Sequence, residues 1–426
     1  MTSVMSLHVD LPDSMQRERV HIVAKNLVPF SNYKLLLRLR HKLGTHMSYA
    51  VFKADSIGEI NVPTAMPIRG TYNDIDAMGL FKSVQPCNDF KFGGYLSCTP
   101  PVPFIYNLSL LDSSNFALAS VPIKKHWMHP ALERTEIEED GFCGTLFKPP
   151  GDGPYPAVID ISGTGGGLHE HKGSMLASEG FVVLCVAFFQ YKNLVEDLAD
   201  VEVEYFEKPI KWLQRQSFTT DRLGIQGVSF GGLIVNILAS RYPQINAVVS
   251  INGSHVQNEL MHLKDNANLL PQPRLAGHLV YFVNKIAISN QSIRHTEYEK
   301  SAEIEWHRIP KSTSFRLVAS MDDLVSPSVF WSRYMSERLK ESGHKVEVDL
   351  VCGGHIMEPP YFPHHDKVYA KYQGFCTGYG GEVVMHGRSQ ELSWARTIEF
   401  FTRTLGEPAK MPAWNRLKHN EIRSNM

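Results

Sequence analysis

The run LGIQGVSFGGLIVNILASRYP at 223–243 sets Ser229 between Gly227 and Gly231, where an apolar strand-like pattern gives way to an apolar helical one. A chain of this length should contain about 0.15 such G-x-S-x-G matches by chance, so the setting carries more weight than the match. A strand, a sharp turn and a helix are what a nucleophile elbow requires. The turn leaves no room for Cβ atoms beside the serine, and the hydroxyl projects above the sheet. The plainer alternative is a serine capping a helix after a glycine turn.

A serine hydroxyl is a poor nucleophile until a base takes its proton, and the base needs an orienting acid. In a strand–elbow–helix setting the partners follow in the order serine, acid, histidine. Downstream, FRLVASMDDLVSP offers Asp322 and Asp323 at the C-terminal end of a predicted strand. One helix and one strand later, VDLVCGGHIMEPPY places His355 just past a glycine pair. It is the only one of 19 histidines so placed. Acyl transfer also needs donors for a developing oxyanion. The N–H of Phe230, directly after the serine, is one. The glycine-rich loop in AVIDISGTGGGLHEH supplies the other from within residues 164–167, with Thr164 and Gly165 as the candidates. That loop lacks the spacing of a phosphate-binding signature. The neighbouring His169 and His171 lack carboxylate or cysteine partners at ligand spacing, so they are expected to be surface histidines, with no metal and no cofactor.

These residues need a sheet to hold them. From 155 onward, buried-strand runs (AVIDIS, FVVLCVAFF, LGIQGVS, AVVSING, FRLVASMDD, VEVDLVCGG) alternate with helical segments (HKGSMLASEG, VEVEYFEKPIKWLQRQ, GGLIVNILASRY, PSVFWSRYMSERLKESG). That alternation predicts an α/β domain, a mainly parallel sheet with helices on both faces. The less regular segment at 256–310 reads as an insertion over the sheet. Residues 1–140 read differently. Short alternating runs such as KLLLRLRHKL and FALASVPI, separated by turn residues, predict a small β-sandwich. The expected division is therefore 1–140, 141–410 and a tail at 411–426.

Bulk properties exclude other classes. The 426 residues carry 43 Lys+Arg against 44 Asp+Glu, and that balance gives no pull toward nucleic acid or an anionic membrane. Six scattered cysteines without a CxxC pair suggest reduced thiols and an intracellular protein. The first 20 residues show neither a secretory nor a mitochondrial import pattern. The longest clean apolar run, nine residues at 181–189, is too short to span a bilayer. A soluble protein in the cytosol is expected. Ser424-Asn425-Met426, a loose relative of a peroxisomal address, keeps the peroxisome as the alternative.

Taken together, the residues resemble the acyl-CoA thioesterase and bile-acid-CoA:amino acid N-acyltransferase family over nearly the whole chain. The matching stretches are Asp76-Ala77-Met78-Gly79-Leu80-Phe81, GTLFKPPGDGPYPAVIDISGTGGG, EYFEKPIKWL, GVSFGG, SINGS, the MDD loop, GGHIMEPPYFP and the GGE at 380–382. The resemblance implies a β-sandwich on an α/β-hydrolase domain, and hydrolysis of fatty acyl-CoA to free acid and coenzyme A. It also implies Ser229 as nucleophile, His355 as base and, of the two adjacent acids, Asp323 as the orienting one. Members that conjugate acyl groups to glycine or taurine tend to carry cysteine at the nucleophile, so Ser229 favours hydrolysis.

The chain departs from its relatives at Phe230, where they often carry Lys or Leu, and at Met321 and Leu324 in the acid loop. Three rivals stand beside the thioesterase: the amino acid N-acyltransferase, a non-catalytic acyl-CoA binder, and another esterase or peptidase on the same fold. Acyl chain length, the coenzyme A contacts and the oligomeric state are not legible in the sequence.

Overall fold

A computed structural model describes residues 4–259, 261–294, 297–370 and 374–414. Ser424-Asn425-Met426 lies outside the described residues.

The N-terminal part is two antiparallel-rich sheets. One has three strands (Ser6–Val9, Ile22–Lys25, Ile60–Asn61) and the other seven, centred on Asn32–His41 and Phe104–Leu111. The alternation in Asn32–His41 is what buries it on one side: Leu35, Leu37 and Leu39 are fully enclosed, while Arg38 and Arg40 point to water.

The main sheet has eight strands: β1 Glu133–Glu139, β2 Phe142–Lys148, β3 Tyr155–Ile161, β4 Val182–Ala187, β5 Thr219–Val228, β6 Ile245–Ile251, β7 Ser314–Ser320 and β8 Lys345–Val351. Their spatial order is β1-β2-β4-β3-β5-β6-β7-β8, parallel from β4 to β8, with β2 antiparallel to both neighbours. This is the α/β-hydrolase arrangement. The expected boundary at 140 falls inside the β1–β2 hairpin, because β1 pairs along its length with β2. The turn, Asp140-Gly141, has positive φ at both residues, the geometry that lets two antiparallel strands twist together.

Among the described residues, six helices lie beyond the short Gly79–Lys82 helix of the N-terminal part: α1 His171–Ala177, α2 Glu207–Gln214, α3 Phe230–Arg241, α4 Asn290–Arg294, α5 Ser328–Glu341 and α6 Val383–Leu405. The strand period sorts the core into two clusters. On β4, Val183 and Cys185 face the cluster containing α1, α6 and the N-terminal sheets, whereas Val182, Leu184 and Val186 face the one containing α2, α3 and α5. Each enclosed aliphatic side chain contributes roughly 1.5–3 kcal/mol. Because the first cluster runs unbroken from the N-terminal sheets into α1 and α6, the two parts share one core.

The segment at 256–310 does sit beside the sheet's C-terminal edge, but it holds strands the sequence pattern hid. Tyr281–Val283 and Ile286–Ile288 join Phe375–Gly378 and Lys367–Ala370 in a four-stranded sheet. No helix of the described residues is long and apolar enough to cross a membrane.

Candidate active site

Ser229 occupies a strained strand-to-helix turn. β5 ends at Val228, α3 starts at Phe230, and Ser229 between them has φ 58° and ψ −120°. A non-glycine residue with positive φ costs of order 1–3 kcal/mol and persists only where its surroundings enforce it. Here the enforcement is close packing. A Cβ on Gly227 would sit 2.2 Å from the Gly231 carbonyl oxygen, and one on Gly231 would sit 2.4 Å from that of Ser162. The serine N–H is fixed by donation to the Ile251 carbonyl at 2.9 Å.

Three loops at the C-terminal edge of the sheet bring the expected partners together. Ser229 follows β5, Asp323 follows β7 and His355 follows β8. The Ser229 Oγ lies 2.7 Å from His355 Nε2, and His355 Nδ1 lies 2.8 Å from Asp323 Oδ2. With Nδ1 protonated, the ring donates to the carboxylate and leaves Nε2 to accept the serine proton. Asp323 is buried, and its Oδ1 accepts from the N–H groups of Val325 (2.8 Å) and Ser326 (2.9 Å), while Ser328 Oγ donates to Oδ2. Asp322 points elsewhere: it is exposed, and its carboxylate accepts from the Gly381 N–H at 2.9 Å.

The glycine-rich loop lies against Ser229. A Cβ on Gly163 would stand 3.4 Å from the Ser229 Cβ and 3.8 Å from its Oγ. Of the candidate donors within residues 164–167, Gly167 is removed, since its N–H is donated to the Phe189 carbonyl at 2.9 Å. Thr164 and Gly165 stay in the set, and Phe230 N–H sits at the first position of α3.

The two histidines expected at the surface are not there. His169 is partly buried and its Nε2 donates to the Gly166 carbonyl at 2.9 Å, bracing the glycine loop from behind; burial pulls its pKa down. His171 is buried and its Nε2 lies 2.9 Å from Glu358 Oε2. Spacing in sequence could not reveal that pair, because the partner lies 187 residues away.

Comparison with known proteins bears on what such a site serves. The acyl-CoA thioester hydrolase/BAAT N-terminal region model matches residues 17–139, and the BAAT/acyl-CoA thioester hydrolase C-terminal model matches residues 201–407. The peroxisomal succinyl-coenzyme A thioesterase of Mus musculus is 30% identical over 402 residues, spanning 91% of this chain and 94% of that protein. The chain belongs to the BAAT/acyl-CoA thioester hydrolase family. Acyl-coenzyme A thioesterase 5 of Mus musculus is 30% identical over 413 residues, 93% of this chain and 96% of that protein. Acyl-coenzyme A thioesterase 1 of Rattus norvegicus is 29% identical over 400 residues, 91% and 94% respectively.

Two further buried residues of this family member hold the loops around Ser229, His355 and Asp323. Asn252, after β6, donates through Nδ2 to the His355 carbonyl (2.6 Å) and the Ser320 Oγ (3.0 Å), and its Oδ1 accepts from the Ser320 N–H (2.8 Å). It thereby ties the ends of β6 and β7 to the histidine loop. Its φ of 50° is one that asparagine tolerates better than most residues. Glu358, three residues past His355, is buried between His171, Lys172 and Tyr95. Burial alone would raise its pKa, but the charges of Lys172 and His171, with hydrogen bonds from His171 and Tyr95, hold it well below the usual carboxylate range.

Proposed function

We propose that this protein hydrolyses acyl-CoA thioesters to free carboxylic acid and coenzyme A through an acyl-enzyme on Ser229. The observation that carries the proposal is the unbroken relay from Ser229 Oγ to His355 to Asp323, at 2.7 and 2.8 Å, on a strained elbow. The thioesterases among its relatives supply the substrate class.

The roles follow from the geometry. His355 Nε2 takes the proton as Ser229 Oγ attacks the thioester carbonyl, and Asp323 stabilises the imidazolium that forms. The oxyanion is held by the Phe230 N–H and by an N–H of Thr164 or Gly165. His355 returns the proton to the departing thiolate, and coenzyme A leaves. The same histidine then activates water against the acyl-serine ester. A metal is not required for any of these steps.

The test is release of free thiol from straight and branched acyl-CoAs of increasing length, with wild type and Ser229→Ala side by side, first without and then with glycine or taurine. Serine-dependent release in the absence of amino acids is the expected result. Release that requires an added amine would make the protein a transferase, and equal release by Ser229→Ala would remove the nucleophile assignment.

A further inference from the structure

A cavity of about 320 Å³ opens beside the acid loop, between α4 and the start of α5. Its wall includes Gln291, Arg294, Met321, Asp323, Phe330 and Arg333. Arg294 and Arg333 come from different helices, both are exposed, and neither forms an ion pair with any described carboxylate. The Arg294 guanidinium lies over the Phe330 ring, 5.6 Å from its centroid, and that ring is itself 46% exposed. Asp323 is the one acid on the wall, and its oxygens are already committed to His355, Val325, Ser326 and Ser328. The sequence around α4 adds to the asymmetry: residues 266–296 contain no Asp or Glu, yet they carry Arg274, Lys285 and Arg294.

We propose that this cavity receives the phosphorylated nucleotide end of coenzyme A, with Arg294 and Arg333 on its phosphates and Phe330 against the adenine. The proposal rests on the thioesterase function proposed above and gives that site its leaving-group half. Three observations support it. Guanidinium groups are the side chains best matched to phosphate oxygens, and two on separate helices suit a ligand that carries phosphates at more than one place. An exposed aromatic ring with a cation beside it offers a stacking surface for a purine. The cavity begins at Asp323, two hydrogen bonds from Ser229, and the flexible pantetheine arm between the thioester and the diphosphate can span that interval.

Pantetheine thioesters test this, because they keep the reacting group and lack every phosphate. The acyl group that wild type releases fastest would be presented once on coenzyme A and once on pantetheine, to wild type, R294Q, R333Q and the double variant. The expected result is a KM for the CoA thioester raised about tenfold or more in the double variant, with kcat preserved and the pantetheine thioester unaffected. Activity on the pantetheine substrate also serves as the check that the variants fold. Lysine at both positions should restore part of the loss, and raised salt should narrow the preference for coenzyme A. Changes of equal size on both substrates, or on neither, would overturn the site. Calorimetric binding of free coenzyme A to the same variants separates this proposal from the previous one. Arginine-dependent binding by a protein that cleaves no thioester would keep the site and remove the activity.

Discussion

His171 Nε2 and Glu358 Oε2 lie 2.9 Å apart and join the segment after the glycine loop to the segment that carries His355. His171 begins the helix that follows the glycine loop, and Glu358 lies in the segment that carries His355. Lys172 Nζ, at 3.5 Å, and the Tyr95 hydroxyl, at 2.7 Å, complete the carboxylate's surroundings, and Tyr95 brings in the N-terminal part of the chain. A buried carboxylate so enclosed fixes the spacing between the glycine loop and the His355 segment. Its contribution is one of position.

Glu358→Gln should therefore lower stability by about 3 kcal/mol or more, because it removes the carboxylate that Lys172 and His171 meet in the interior. Glu358 has a folded pKa below its ordinary 4.5, so its stabilisation is full above that pH and is lost as pH falls toward the depressed value. Urea unfolding of wild type and variant should show a wide gap at neutral pH that narrows below pH 4.5. A gap independent of pH would mean that the side chain acts by packing alone.

Asp323→Asn should cost about 10⁴ in kcat, as expected when the histidine is held in the wrong tautomer. Asp322→Asn should cost far less, since its carboxylate meets only a backbone N–H at the protein surface. Steady-state kinetics on the two variants decide between the neighbours. A larger loss for Asp322→Asn would reverse the assignment.

Asn252→Ala should lower kcat by about 10- to 100-fold with little change in KM, the scale seen in metal sites when a partner that orients a ligating histidine is lost. The substitution leaves the Ser320 N–H and the His355 carbonyl short of their buried partners, at about 1–3 kcal/mol each. Single-turnover measurements should place the loss in acylation. An equal rise in KM would assign Asn252 to substrate binding instead.

Acid should destabilise the fold through histidines that are buried neutral. Burial pulls His46 down to about 4 and His386 down to about 3, with lesser push from nearby His41 and His364 respectively. Both folded values lie below the unfolded 6.5, so the unfolded chain binds more protons as pH falls below 6.5, and each group removes about 1.4 kcal/mol per pH unit until its folded pKa is reached. Thermal melts from pH 7 to 4.5 should fall steeply. His386→Asn, which keeps an acceptor for the Gly354 N–H, should flatten that slope.

The chemistry of this chain is more legible than its assembly. The placement of Ser229 at a strand–helix turn and of His355 at a strand end is legible because glycines and strand ends are local features. The choice between Asp322 and Asp323 is not local: the two differ only in which one the loop after β7 turns inward, toward His355. The Asp140-Gly141 turn carries a hairpin signal in its residue types, yet the acidic strand before it, ERTEIEE, reads as solvent-facing and conceals its membership of the main sheet. The His171–Glu358 pair and the reach of Asn252 depend on chain crossings that no spacing encodes. The strand Ile286–Ile288 pairs with residues near 376, and a short strand whose partner is so distant leaves no period to detect.

Serine at position 229 also makes a claim about the acceptor. An acyl-serine is an oxygen ester, and amines attack oxygen esters more slowly than thioesters, so water at high concentration wins. Ser229→Cys would replace that intermediate with a thioester on the same elbow, with His355 still 2.7 Å from the position of the nucleophilic atom. The variant should form measurable amide from an acyl-CoA and glycine or taurine, with its hydrolysis slowed, while wild type forms none. Mass spectrometry of the products reads the partition directly. Amide formation by wild type at a rate comparable to hydrolysis would show that the nucleophile does not set the acceptor, and that an amine site elsewhere in the crevice does.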